Sequence, residues 1–141
     1  MTDVKNGKLH IYLDKGKYRN AKMDVFVVVE KLEGLHASGG SDVEMNLEVE
    51  KLECHLSGGS DTDLEGSAEH LHIQSSGSSD FEGFGLVSKH CIIRASGSSD
   101  SKVNVSESIE VSASGSSDVH FKGNPSKTNI KSSGSSDVHS H

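Results

Sequence analysis

The feature that most restricts this chain is a five-residue turn written six times. Ser-Gly-Gly-Ser-Asp begins at Ser38 and Ser57, and Ser-Gly-Ser-Ser-Asp begins at Ser76, Ser96, Ser114 and Ser133. Successive starts lie 19, 19, 20, 18 and 19 residues apart. A period this short and regular marks a solenoid, in which each repeat is one supersecondary unit that cannot bury its own apolar face and relies on its neighbours.

The residues ahead of each turn show what the unit is made of. Positions five, three and one before the leading serine read Glu33, Leu35, Ala37; Leu52, Cys54, Leu56; Leu71, Ile73, Ser75; Cys91, Ile93, Ala95; Ile109, Val111, Ala113; and Thr128, Ile130, Ser132. The positions between them carry His36, His55, Glu53, His72, Gln74, Arg94, Glu110 and Lys131. Alternation with period two is the pattern of a strand with one buried face. A second alternating run follows each Asp, with Val43 and Met45, Thr62 and Leu64, Ser101 and Val103, and Val119 and Phe121 facing inward. In the third coil Phe81, Phe84 and Leu86 break the alternation where the extra residue falls, which predicts a bulge. The expected coil has two strands, a sharp glycine turn between them and a looser return. Ahead of the repeats, Leu9, Ile11 and Leu13 alternate, residues 14–20 read as a polar hairpin-like loop, and Met23, Val25, Val27 and Val29 alternate into the first coil.

Composition fits this reading. The 141 residues predict one domain over 1–141, with 1–30 as strands leading into regular repeats over 31–141. Only 32% of residues are hydrophobic, thin beside the roughly 45–50% usual for a globular domain on a count that includes Gly. Backbone ladders and stacked small side chains between coils about 4.8 Å apart replace the large apolar residues of an ordinary core. Net charge is −7 with scattered Lys and Arg, so no basic face exists for nucleic acid. No apolar run approaches the ~20 residues that cross a bilayer, which argues against membrane insertion, and no apolar stretch follows residues 1–6 as an export signal would require. Cys54 and Cys91 fall on inward files two coils apart, about twice 4.8 Å. That exceeds a disulfide's reach and predicts buried free thiols.

Three segments carry a family resemblance: VKNGKLHIYLDKG (4–16), MDVFVVVEKLEGLHASGGSDVE (23–44) and the iterated SGSSDV turns. Together they resemble the putative autotransporter adhesin, head-GIN domain family over nearly the whole chain. The resemblance implies an all-β fold, a single-stranded right-handed parallel β-helix (β-solenoid) with coils of about 19 residues. It further implies export to the Gram-negative cell envelope or secretion, a role in adhesion without catalysis, and an additional N-terminal portion before the VKNG strand.

Candidate chemistry is sparse. Asp42, Asp61, Asp80, Asp100, Asp118 and Asp137 recur once per coil. At about 4.8 Å, neighbouring carboxylates repel by roughly 0.9 kcal/mol at the dielectric of water. Two arrangements offset that: each carboxylate accepts N–H bonds within its own glycine turn, or the file holds a row of calcium ions. Nine histidines include two same-file pairs, His36 with His55 and His70 with His90, while His72, His120, His139 and His141 occupy outward positions. A zinc site needs three or four convergent ligands, so surface imidazoles are the simpler reading. Arg19 and Arg94 are the only arginines, Trp is absent, and no acid pair stands apart from the repeat. The expectation is no enzyme, no catalytic or cofactor-binding residue and no cofactor unless calcium. Partners would be a host or neighbouring-cell surface component or glycan, or a second copy meeting solenoid ends or faces. The competing functions are a polysaccharide-binding or polysaccharide-degrading β-helix and a calcium-stabilised structural module.

Overall fold

The structure is a computed structural model, and it describes residues 2–11 and 31–141. The expectations for Leu13, for 14–20 and for Met23 through Val29 lie outside these residues. Strands run in the order β1 (Thr2–Lys5), β2 (Lys8–Ile11), β3 (Gly34–Gly39), β4 (Asp42–Gly58), β5 (Asp61–Ser75), β6 (Asp80–Ala95), β7 (Asp100–Ala113), β8 (Asp118–Lys122), β9 (Lys127–Ser132) and β10 (Val138–Ser140). No helix occurs among the described residues. β3 to β10 form one parallel sheet in the order β10-β8-β7-β6-β5-β4-β3, with β9 also paired to β7. Each coil hydrogen-bonds the one a period away, which makes the chain a β-solenoid.

The N-terminal strands differ from the rest. β1 and β2 pair antiparallel as a separate hairpin. Asn6 (φ 52) and Gly7 (φ 73) form its two-residue turn, the left-handed pair that matches strand twist.

Equivalent residues stand directly above one another. Leu52 pairs with Leu71, Leu71 with Cys91 and Cys91 with Ile109. All four are buried, as are the neighbouring files through Cys54, Ile73, Ile93 and Val111 and through Leu56, Ser75, Ala95 and Ala113. Apart from Leu56, the file next to the turn holds small residues: Ala37, Ser75, Ala95 and Ala113. Inward positions after each Asp complete the core: Thr62, Leu64, Ser101, Val103, Val119 and Phe121 are buried, while Val43 and Met45 pack against its edge. At the last described coil Thr128, Ile130 and Ser132 are exposed, Ile130 to 42%. No further described coil lies over them.

The return is not loose. β4 to β7 each continue from the Asp to the approach of the next turn, and Leu47, Glu48 and Val49 pair with Gly66, Ser67 and Ala68. Inward alternation persists through Leu47, Val49, Ala68, Leu86 and Val105, but with side chains too small or too few per coil to stand out. The expected bulge is present. Registers slip between Asp63 and Gly66 on one side of β6 and between Gly83 and Val87 on the other. Leu86 stays buried within the irregular stretch.

The turn itself is part of the sheet. Ser78 N–H donates to the Gly58 carbonyl (2.7 Å), Ser98 N–H to Gly77 (2.8 Å) and Ser116 N–H to Gly97 (2.7 Å). In five of the six turns the serine before the Asp points inward: Ser60, Ser79, Ser99, Ser117 and Ser136 are buried, while Ser41 is half-buried. Hydroxyls of Ser79, Ser99, Ser117 and Ser136 donate to the carbonyl three residues back, at 3.0, 3.1, 2.9 and 2.7 Å. These four turns are thereby closed from within the core; Ser41 makes the same bond at 3.2 Å from a less buried position, and the buried Ser60 hydroxyl has no partner among the described residues.

Candidate functional site

The closed turn settles where the Asp file goes. With the inward serine holding the local carbonyl, the following Asp faces out, and Asp42, Asp61 and Asp80 stack in register. Two members of the file bond to the next coil. Asp100 N–H donates to Asp80 Oδ1 (3.4 Å), and Asp137 N–H donates to Asp118 Oδ1 (3.2 Å). A second acidic file, Glu44, Asp63 and Glu82, runs beside the first and ends where Lys102 Nζ reaches Glu82 Oε2 at 2.7 Å. That bond raises the Lys102 pKa. Lys89 pairs with Glu69 in the same manner, holding the Glu69 carboxyl below its ordinary value. One outer face is therefore a grid of carboxylates.

Histidines stack by coil. His36 and His55 rings lie 4.6 Å apart and nearly parallel, and His70 and His90 lie 5.0 Å apart. A third stack, His120 on His139 at 5.0 Å, was legible from their 19-residue spacing, yet residue-type reading passed over it. His141 closes on His120 with Nε2 to Nδ1 at 3.0 Å. Among the described residues no group of three His, Cys, Asp or Glu side chains could hold a metal ion. Burial lowers the His36 pKa, with His55 and Lys8 adding to the effect and Glu53 opposing it. Burial also lowers that of His72, again against Glu53. Glu53 accepts a bond from His55 at 3.1 Å, which pulls its own carboxyl down. The His72 Nε2 atom is buried without a hydrogen-bond partner among the described residues.

The outward file before the turn has the opposite character. His36, His55, Gln74, Arg94, Ser112 and Lys131 lie in register, and none is acidic. Its first four members, with the serines that open the turns, line an open groove of about 440 Å³ spanning four coils. No Asp or Glu lines it. Arg94 has no ion-pair partner among the described residues. Alternation in the sequence marks which positions are buried and carries no signal for what adjoining outward positions enclose, so the groove is visible only in the structure. Cys54 and Cys91 are buried free thiols.

The putative auto-transporter adhesin, head GIN domain family matches residues 1–125. The chain belongs to that family. As a head GIN domain, its stacked coils also resemble a crystal structure described as a putative adhesin from Bacteroides fragilis. The TM-score is 0.76 at 22% identity, over 100% of this chain and 76% of that one. The likeness at this identity is one of fold. No curated protein matches this head GIN domain. Among the described residues there is no helix long and apolar enough to cross a membrane.

Proposed function

We propose that this chain is a noncatalytic, adhesin-like scaffold that works at the cell envelope or after secretion, presenting regular polar files to a surface component of a host or neighbouring cell. The observation that carries this reading is the registered stacking of like side chains on the outside of the solenoid, one rung per coil, in a member of an adhesin family. A rigid array of this kind supports many weak contacts at once, and multivalent contact multiplies affinity without a deep pocket. The adhesive reading is tested with beads carrying the purified protein, offered to epithelial and bacterial cells. Saturable adherence that soluble protein competes away is expected. Adherence no greater than that of albumin-coated beads, or none that soluble protein reduces, overturns it.

A further inference from the structure

We propose that the groove before the turns is a binding site for a carboxylated saccharide, with Arg94 receiving the carboxylate; this rests on the adhesin-like reading above and names the ligand class. His36, His55, Gln74 and Arg94 are stacked by the sheet register, so polar groups recur about every 4.8 Å along the axis. A neutral imidazole offers one donor and one acceptor, and Gln offers both kinds. Such a file suits a ligand dense in hydroxyl groups. The serines beside it add to this: Ser76 and Ser96 give their protons to the Leu56 and Ser75 carbonyls at 3.4 Å, which leaves hydroxyl oxygens as acceptors.

Arg94 decides the charge of the ligand. It is exposed, lines the groove and has no carboxylate partner among the described residues, in a chain with 21 acidic residues and a net charge of −7. The guanidinium fork matches a planar carboxylate with two parallel bonds. The carboxylate files stack after the turns, and among the described residues the one carboxylate bonded to a groove residue, Glu53, is held by His55 at 3.1 Å, which leaves the Arg94 guanidinium open to an anion. A volume of about 440 Å³ falls in the range of small-ligand sites, roughly 300–1,000 Å³. Nucleic acid is disfavoured by the overall charge. No aromatic ring other than the two imidazoles lines the groove, so recognition runs through hydrogen bonds and charge and not through ring stacking.

The test uses the whole chain and three probes: tetragalacturonate, tetramannuronate and sialyllactose, each beside its carboxyl methyl ester, by calorimetry at low salt. At least one free acid should bind about tenfold or more tightly than its ester. Arg94→Ala should remove that preference, Arg94→Lys should restore only part of it, and Lys102→Ala, on the other face, should keep it. Circular-dichroism melts verify that the variants fold; should Arg94→Ala fail to, Arg94→Gln replaces it. No preference for any free acid, or a preference that survives Arg94→Ala, overturns the proposal. The same variants on beads separate the two readings. Adherence by wild type and Arg94→Ala alike, with no acid preference, sinks the groove and leaves the adhesive role standing. An Arg94-dependent acid preference without adherence does the reverse.

Discussion

At Gly97 two separate constraints exclude a side chain. Its φ is +82, and an added Cβ would lie 2.6 Å from the Gly77 carbonyl oxygen and 3.0 Å from its nitrogen. Gly39 has a similar φ of +78, but among the described residues a Cβ there meets nothing within 4 Å. Alanine at 39 therefore brings left-handed strain alone, about 1–2 kcal/mol. At 97 it must also push one coil's backbone away from another's, for a total of about 3 kcal/mol or more. Urea unfolding of Gly39→Ala and Gly97→Ala measures the difference, and equal losses would mean that the close approach contributes nothing. The thiols give a second check. Burial pushes Cys54 up to about 12 and raises Cys91 as well, so almost no thiolate exists at pH 8. Iodoacetamide is expected to label neither in the folded protein and both in denaturant, as read by intact mass. Much at this scale was legible beforehand, since Leu52, Cys54, Leu71 and Ile93 alternate with polar residues. The sequence left the Asp file open, because Ser and Asp can both bond a turn locally. Only the structure shows that the serine, facing inward, takes that role.

Within a coil, the strand before the turn couples to pH. His36 and His72 have folded pKa values below their ordinary 6.5. The unfolded chain then binds protons more readily, so their contribution is complete above about pH 6.5 and is lost as pH falls from there through the lowered values. Glu53, lowered from 4.5, adds a loss in the same direction at still lower pH. Thermal melts should show a falling Tm below pH 6.5, and the His36→Gln, His72→Gln double variant should flatten that slope until the carboxylates titrate. An unchanged slope would place the sensitivity in other groups. The strands themselves were only half readable. The run into each turn has strong apolar residues, whereas the return relies on Ala68, Ser88 and single residues such as Leu47, too weak a pattern to separate from a loop. Gly66 and Gly123, each nine residues past a leading serine, mark a second corner at φ 112 and 102. A search for a second recurring glycine would have found it.

At the scale of the whole molecule, charge is sorted by file. Carboxylates stack directly after the turns, and the file two residues before them holds no acid, although Glu53 and Glu110 stand in the file next to it. In-register Asp42, Asp61 and Asp80 repel through solvent by roughly 0.9 kcal/mol per neighbouring pair, an effect that salt screens. Sodium chloride is expected to raise Tm by a few degrees, with calcium chloride matching it at equal ionic strength and a chelator having no effect. A calcium-specific rise at low millimolar concentration would instead establish a row of bound ions. This sorting could not be read from net charge, which averages the files; it follows only when period and alternation are combined to place Glu44 beside Asp42 and Arg94 above Gln74.

The bonds from each turn amide to the glycine carbonyl one period earlier have a further consequence. They depend on the adjoining pass and on nothing beyond it. An inserted or deleted unit of one full period leaves every later contact intact, whereas a one-residue change inverts the side chains that follow until a bulge such as that between Gly83 and Val87 restores the register. Length in this architecture is thus counted in whole steps of about 4.8 Å, and duplication of a short genetic segment is enough to change how far such a protein reaches.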